Sequence, residues 1–231
     1  MNWMKKKAMM MLSSAISRLP AGYRETVYST SRRVLPNADA NGSWCKTNSV
    51  LTGTGTVEVT VIAEPTADNL SNNGCVTGTD AAGSNATGLS MAFDKAADRV
   101  WCFCGDYCII SPDNGNSLIG GGLRTYVGTV ARDGTITMTD GTTSNTITTT
   151  LRNYAGRNIF IASASLDNTN GKYILVGNAK YIKWVENNIT LLEAVSCYRE
   201  SDNLAGFYDL VQDTFYYSAN SANPFLKGAD A

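Results

Sequence analysis

The first chemical feature of this sequence is that none of its 231 residues is a histidine. Histidine is the commonest general base, and its absence excludes the usual Ser-His-Asp and Cys-His arrangements of nucleophilic hydrolases. It also removes the commonest side-chain ligand for metals. Catalytic or metal-binding chemistry would therefore have to come from carboxylates or thiols.

Carboxylate pairs are the first alternative, because retaining glycoside hydrolysis uses two carboxyl groups about 5 Å apart. A strand can hold such a pair when both side chains lie on one face. Glu193 and Glu200 are seven residues apart, so they would face opposite sides of one continuous strand. Glu58 and Glu64 flank a strand, where carboxylates are usually solvated. The carboxylate pattern thus predicts that the chain is not an enzyme.

Thiols are the second alternative, and the six are Cys45, Cys75, Cys102, Cys104, Cys108 and Cys197. The Cys102-x-Cys104-x-x-x-Cys108 spacing lacks the paired C-x-x-C knuckles of structural zinc sites. Alternation places Cys102 and Cys104 on one face of a strand, where cysteine acts as a small hydrophobic residue. A chain of this size does not need disulfides for its stability. We therefore predict reduced core thiols, with no metal and no cofactor.

Composition limits the partners. The net charge is −1 and charged residues make up 17% of the chain, whereas a nucleic-acid binder needs a basic face. Abundant Thr, Ser, Asn and Gly are typical of strands with small polar outer faces and of tight turns. We expect no nucleic-acid binding, and a surface that partner proteins partly cover.

A carbohydrate-binding, lectin-like module is the alternative function that the residues leave open. Sugars stack on exposed aromatic rings, for which the candidates are Trp44, Tyr107, Tyr126 and Tyr154. Asp113-Asn114 or Asp167–Gly171 could offer oxygen ligands to calcium. Neither segment has the spaced acidic residues of a dedicated calcium loop.

Short strands are the elements that must position these groups. Apolar runs separated by Asn- and Asp-containing turns predict an antiparallel meander near the C-terminus: Lys180–Glu186, Ile189–Tyr198, Phe207–Val211 and Thr214–Tyr217. Thr56–Ile62 alternates cleanly and predicts another strand. The Asp133-Gly134 and Asp140-Gly141 pairs predict hairpins.

Three further stretches complete the first part of the chain. Leu19–Tyr28 is predicted as the first strand, and Tyr28–Ser49 as a polar loop. Thr66–Gly88 is predicted as a long connection, and a connection of this length is usually functional or contacts a partner.

Residues 1–19 differ in kind from the rest. Apolar side chains recur there at three- and four-residue steps, which predicts an amphipathic helix. The residues expected to dock on partner subunits are Trp3, Met4, Ala8, Met11, Leu12, Ala15 and Ile16. A methionine-rich face suits adaptable packing, and the segment is too short to span a bilayer. A signal segment and an intramolecular cap are the alternatives.

Motifs at both ends of the chain resemble one known family. The opening motif is Leu19-Pro20-Ala21-Gly22-Tyr23, and the closing motifs are Val195-x-Cys197-x-Arg199, Ser201-Asp202, Gly206-x-Tyr208-Asp209-Leu210-Val211, Thr214-Phe215-Tyr216 and Pro224-Phe225-x-x-Gly228. They resemble the first and last strands of phage and prophage virion structural proteins that carry a concanavalin-like (laminin-G-like) jelly-roll domain.

The resemblance implies an all-β fold, an antiparallel jelly-roll or concanavalin-like β-sandwich over residues 20–231, behind an N-terminal α-helical docking arm at residues 1–19. It implies a non-enzymatic virion structural protein, such as a head fibre, a capsid decoration or a tail appendage subunit, assembled in the host cytoplasm. The partners it implies are other virion proteins and further copies of the chain, trimers among them. A host surface glycan is a further ligand that such proteins adhere to.

Overall fold

Antiparallel strands dominate the computed structural model, which describes residues 3–26, 29–31, 42–65, 74–79, 88–94, 98–111, 121–165, 171–172, 175 and 177–228. Within these ranges the strands form two large facing sheets and one small ribbon, and the helix α1 (Trp3–Ile16) lies outside them. No helix in the described ranges has the length and hydropathy needed to cross a bilayer.

The larger sheet contains the predicted C-terminal meander. In spatial order its strands are β11 (Ser144–Thr148), β10 (Thr135–Thr139), β9 (Arg124–Val130), β4 (Val57–Pro65), β15 (Gly177–Glu186), β16 (Ile189–Arg199), β17 (Leu204–Asp209) and β18 (Thr214–Tyr216). Three short strands extend it: β1 (Tyr23–Glu25) pairs with β16, β2 (Ser29–Ser31) with β15, and β19 (Leu226–Lys227) with β2.

The smaller sheet is built from strands that lie between those of the larger sheet in the chain. Its spatial order is β3 (Cys45–Leu51), β12 (Arg157–Ile161), β5 (Gly74–Gly78), β6 (Ser90–Asp94), β7 (Arg99–Phe103) and β8 (Tyr107–Ile110). The ribbon joins β13 (Ala164–Ser165) to β14 (Gly171–Lys172). The chain passes repeatedly from one sheet to the other, as in a jelly-roll sandwich. This arrangement confirms the predicted antiparallel β-sandwich with a short N-terminal helix.

The core lies between the two sheets and follows from the two-residue period of strands. Val57, Val59 and Val61 of β4 point inwards and are fully buried. The Trp184 indole of β15 is also fully buried, and its Nε1 donates to Thr77 Oγ1 of the smaller sheet at 2.9 Å. That hydrogen bond joins the sheets and satisfies the polar atom that burial of a tryptophan brings into the core.

The predicted turns are also present. Asn187 and Asn188 have φ of 51° and 64°, the left-handed values that a two-residue hairpin turn of type I′ requires. Gly134 has φ of 91°, and the Asp133 carboxylate accepts from the Thr135 backbone N–H at 2.9 Å. The short-range signals therefore located these hairpins correctly.

Two predicted loops were wrong in part. Strand β3 begins inside the predicted polar loop Tyr28–Ser49 and runs on to Leu51; its inward positions include the small polar residues Thr47 and Ser49. Their hydroxyls donate to the carbonyls of Ile159 (2.8 Å) and Leu191 (2.7 Å), so they are buried without losing hydrogen bonds.

Other boundaries differ as well. Strand β5 lies inside the predicted connection Thr66–Gly88, whose other residues are mostly outside the described ranges. The first strand is only Tyr23–Glu25, while residues 27–28 are outside those ranges. Strand β8 was not predicted at all.

Candidate functional site

The C-terminal half of α1 packs on the outer face of the larger sheet. Ala15 is fully buried there, and Met11, Leu12 and Ile16 are partly buried beside it. The sheet residues in this cluster are Ile62, Tyr181 and Val195, from β4, β15 and β16. This half of the helix therefore caps its own sandwich.

An ion pair between Arg18 and Glu193, which we name the latch, holds the chain just after the end of the helix. Arg18 Nη2 lies 2.7 Å from Glu193 Oε2, and the Tyr181 hydroxyl donates to Glu193 Oε1 at 2.8 Å. Burial alone would raise the pKa of the Glu193 carboxyl, but the bonds from Arg18 and Tyr181 and the charge of Lys183 outweigh it. The net result is a lowered pKa, so Glu193 stays ionised and anchors Arg18.

The N-terminal half of α1 presents large apolar side chains to solvent. Trp3 is 71% exposed, Met9 59% and Met10 67%. The Lys7 ammonium lies 5.4 Å from the centre of the Trp3 ring, close enough for a cation–π contact. Beneath this half, a cleft of about 190 Å³ separates the helix from the polar outer face of the sheet. Its lining includes Thr60 and Thr125.

The seven predicted docking residues therefore fall into three groups. Trp3 is exposed, whereas Met11, Leu12, Ala15 and Ile16 pack on the chain's own sheet. The side chains of Met4 and Ala8 lie outside the described part. Docking on partners remains a prediction, and the surface that could serve it is Trp3, Met9 and Met10. The helical period did not select the two methionines, because they lie beside the apolar stripe.

A second concavity lies at the end of the sandwich where β15 turns into β16. Two loops and one turn form its walls, and its volume is about 270 Å³. The lining residues, which we name the arginine pocket, are Gly53, Arg132, Leu151, Arg152, Asn153, Tyr154 and Ala155.

Backbone contacts fix the loops around the arginine pocket. The Thr149 N–H donates to the Gly134 carbonyl at 3.0 Å, and the Gly156 N–H donates to the Leu51 carbonyl at 2.8 Å. A Cβ at Gly134 would lie 2.1 Å from the Thr149 carbonyl oxygen, so a side chain at this turn would force the loop away. The Arg132 guanidinium donates to the Gly53 carbonyl and closes one wall. These contacts hold the two arginines in a defined frame.

The arginine pocket is positively charged. Arg132 and Arg152 are the ionised residues of its described lining, which includes no carboxylate. The nearby Glu186 carboxylate is buried and accepts from the backbone N–H groups of Thr52 (2.7 Å) and Thr54 (3.0 Å). Its negative charge is therefore stabilised by backbone N–H groups of the loop behind the pocket.

Tyr154 adds a buried polar group to this lining. The residue is 3% exposed, and its hydroxyl lies close to the Arg132 side chain. Burial raises the pKa of Tyr154, so the hydroxyl keeps its proton and is available as a donor.

Of the four aromatic residues considered for sugar stacking, only Tyr107 presents its ring to solvent, at 49% exposure. Trp44, Tyr126 and Tyr154 are buried, so the expectation that they stack on sugars was wrong. The Tyr107 ring centre lies 4.7 Å from that of Phe103, and the Arg152 guanidinium lies 5.4 Å from the Phe103 ring. The buried Phe103 ring therefore lies between the exposed Tyr107 ring and Arg152.

The other residues considered for chemistry are buried, are held in ion pairs or lie outside the described ranges. All six cysteines are buried and free, which confirms the predicted core thiols, and burial raises the pKa of Cys104 to about 11. The described residues contain no group of three or more Cys, Asp or Glu placed to hold a metal. The Asp113-Asn114 segment and residues 167–170 lie outside the described ranges. Glu193 and Glu200 are ion-paired with separate arginines, Arg18 and Arg24.

No protein-family model and no curated protein matches this sequence. Solved structures of similar fold include domains LG4-5 of the mouse laminin alpha1 chain, with 11% identity, 69% of this chain and 41% of that chain covered, and a TM-score of 0.45. An alginate lyase from Pseudomonas aeruginosa has 13% identity, coverage of 76% and 90%, and a TM-score of 0.40. The enzymatically active domain of tailspike protein 2 from bacteriophage CBA120 has 11% identity, coverage of 73% and 29%, and a TM-score of 0.39.

This chain thus spans less than half the length of the laminin and tailspike chains. These likenesses concern the fold alone.

Proposed function

We propose that this chain is a non-enzymatic structural subunit of a phage virion, and that it joins a second copy of itself through the N-terminal half of α1. The observation that carries the proposal is the exposure of Trp3, Met9 and Met10 on one short helix. Trp3 and Met10, seven residues apart, lie on the same face of the helix, and large apolar side chains exposed together often mark a surface that a partner covers.

The two halves of α1 have complementary roles in this proposal. A 14-residue helix is marginally stable by itself, so it needs the packing of Ala15 and its neighbours on the sheet. The Arg18–Glu193 latch fixes the direction in which the exposed half points. A surface with a fixed direction can meet the same surface of a second copy about a symmetry axis. The cleft beneath Trp3 offers a recess for a partner's side chain.

The virion assignment is supported by the motifs at the two ends of the chain. Tyr23 of the opening motif packs on two rings of the closing motifs, with ring centres 4.7 Å from Tyr208 and 5.2 Å from Phe215. Within the closing motifs, Arg199 Nη2 lies 2.5 Å from Asp202 Oδ2. Several of the residues that carry the resemblance thus pack together, although they come from opposite ends of the chain.

The test is the mass in solution of the full chain and of a Trp3→Gln/Met9→Gln/Met10→Gln variant. Glutamine retains helix propensity, so the variant should unfold at the same urea concentration as the wild type. We expect an oligomer for the wild type and a folded monomer for the variant.

The matched control replaces three exposed apolar residues outside the helix, as Ile189→Gln/Val211→Gln/Leu226→Gln. It should remain oligomeric. A monomeric wild type, or a helix variant that stays oligomeric, would show that α1 serves only as an intramolecular cap.

A further inference from the structure

The larger sheet ends at β11, and no strand of the described ranges pairs with the outer side of that strand. We propose that β11 pairs there with β11 of a second copy of the chain, antiparallel and centred on Thr146, so that the two larger sheets become one continuous sheet. We name this strand pair the seam. The inference rests on the proposed self-association through α1 and adds a second element to the same interface.

The backbone of β11 has hydrogen-bonding groups on its outer side. The turn between β10 and β11 is closed by a hydrogen bond from the Asp140 N–H to the Thr143 carbonyl at 3.2 Å. From such a turn onwards, every second residue of an antiparallel strand bonds its neighbour. The N–H and C=O groups of the other residues point away from the sheet, and in β11 these residues are Ser144, Thr146 and Thr148. All three are exposed.

Sheet edges are usually protected by charged side chains, prolines, bulges or short length. β11 has none of these, since its five residues are Ser-Asn-Thr-Ile-Thr and its register with β10 is unbroken. The edge strand β3 carries the exposed Lys46, and its Asn48 N–H donates to the Tyr216 hydroxyl at 2.9 Å. The β8 edge is bonded at the Ile109 carbonyl by Asn145 Nδ2 at 3.0 Å, and β18 has only three residues. β11 is therefore the least protected edge of the two large sheets in the described part.

One local hydrogen bond must be exchanged when the seam forms. In the single subunit Asn145 Oδ1 accepts from the Thr146 N–H at 2.8 Å. In the seam the Thr146 carbonyl of the second copy takes the place of that oxygen. One hydrogen bond replaces another, so the exchange costs little. The outward groups of Ser144 and Thr148 gain protein partners in place of water.

The side chains of β11 suit pairing with a second copy of the same strand. About a two-fold axis at Thr146, Ser144 lies opposite Thr148 of the second copy, Asn145 lies opposite Ile147, and Thr146 lies opposite itself. The five residues carry no charge, so no like charges meet across the seam. For the same reason β11 offers nothing that would select an acidic or a basic peptide strand instead.

The N-terminal half of α1 lies at the same border of the molecule. Trp3 and Lys7 line the cleft together with Thr139 of β10, and Thr139 is paired directly with Ser144 of β11. In the seam, β10 and its counterpart are three strand spacings apart, which is roughly 14 Å across the strands. A helix with its side chains is about 10–12 Å wide. The seam therefore brings the exposed halves of two α1 helices near each other on one face of the joined sheet.

The test uses the fact that Thr146 opposes itself in the seam. Analytical ultracentrifugation of the full chain gives the dissociation constant of the wild type, of Thr146→Lys, of Thr146→Glu and of an equimolar mixture of the two variants. Thr146 is exposed and its backbone does not bond β10, so each variant should unfold at nearly the same urea concentration as the wild type. Thr142→Lys, at an exposed position of the adjoining turn, is the matched control.

We expect each variant of Thr146 alone to raise the dissociation constant at least about tenfold, because like charges meet across the axis. The mixture should return to within about threefold of the wild type, since opposite charges then face each other. Thr142→Lys should assemble like the wild type.

Two results would overturn the seam: wild-type assembly of Thr146→Lys, or a mixture that assembles as weakly as its two components. If the α1 variant becomes monomeric while Thr146→Lys remains oligomeric, the seam is wrong and attachment through α1 stands. If the α1 variant stays oligomeric while Thr146→Lys dissociates, the proposed role of α1 is wrong and the seam carries the assembly. A monomeric wild type would overturn both.

Discussion

The latch between Arg18 and Glu193 allows a quantitative prediction for Glu193→Gln. Glutamine has nearly the same size as glutamate and retains an oxygen that can accept from the Tyr181 hydroxyl. The substitution therefore removes the negative charge while leaving the packing beneath α1 in place. What changes most is the strength of two contacts, those to Tyr181 and Arg18; the weaker ion pair with Lys183, whose Nζ lies 3.9 Å from Glu193 Oε1, is lost as well.

The size of the effect follows from the surroundings of those two contacts. The Tyr181 hydroxyl is buried, and a hydrogen bond to a charged acceptor is worth about 1 kcal/mol more than one to a neutral acceptor. The Arg18 side chain is 46% exposed, so its ion pair contributes only about 0–1 kcal/mol. We expect Glu193→Gln to lower the free energy of unfolding by about 1–2 kcal/mol at pH 7.

The effect should depend on pH in one direction. The pKa of Glu193 is lowered in the folded chain, so its carboxylate contributes stability above the unfolded pKa of about 4.3. That contribution is lost as the pH falls through the folded pKa. The difference between wild type and variant should therefore stay constant from pH 7 to about pH 5 and shrink as the pH falls further.

Urea unfolding at several pH values measures this difference, with hydrogen exchange of α1 as a second readout. Arg199→Gln, which breaks the exposed pair with Asp202, is the control and should leave the free energy of unfolding nearly unchanged. Equal destabilisation by Glu193→Gln at pH 7 and pH 3, or none at pH 7, would refute the latch.

Two further predictions concern the loops and the core. Gly134→Ala should cost about 1–3 kcal/mol, because its φ of 91° and the nearby Thr149 carbonyl both oppose a side chain. Gly156→Ala has a positive φ but open space around it, so it should cost about 1–2 kcal/mol at most; equal urea midpoints for the two variants would contradict this account. The six buried thiols should not react with a thiol reagent at pH 8 until urea unfolds the chain, when all six should react. Fast reaction of any thiol in the native protein would show that the core is open there.

Local patterns predicted much of the fold. The helix at Trp3–Ile16, the strand beginning at Val57 and the turn at Asn187-Asn188 all follow from periods and turn residues within a few positions of each other. Strand β3 was missed because Thr47 and Ser49 read as surface residues. They are buried only because Ile159 and Leu191, far along the chain, accept their hydrogen bonds.

The candidate sites depended much less on local pattern. The apolar period of residues 1–19 predicted which face of the helix would be buried. It did not predict what that face packs on, which is a surface of Ile62, Tyr181 and Val195 that only the fold brings together. Arg132 and Arg152 belong to no motif and meet only because two loops are tied at the same end of the sandwich.

The sequence by itself determined the β class, the N-terminal helix, the hairpin turns and the lack of histidine chemistry, since each depends on residue type and short-range spacing. Tertiary structure alone decided which half of α1 is exposed, which aromatic rings reach solvent and where two arginines converge. The physical reason is that burial and electrostatic surroundings are set by residues distant in the chain, whereas backbone preference is set by near neighbours.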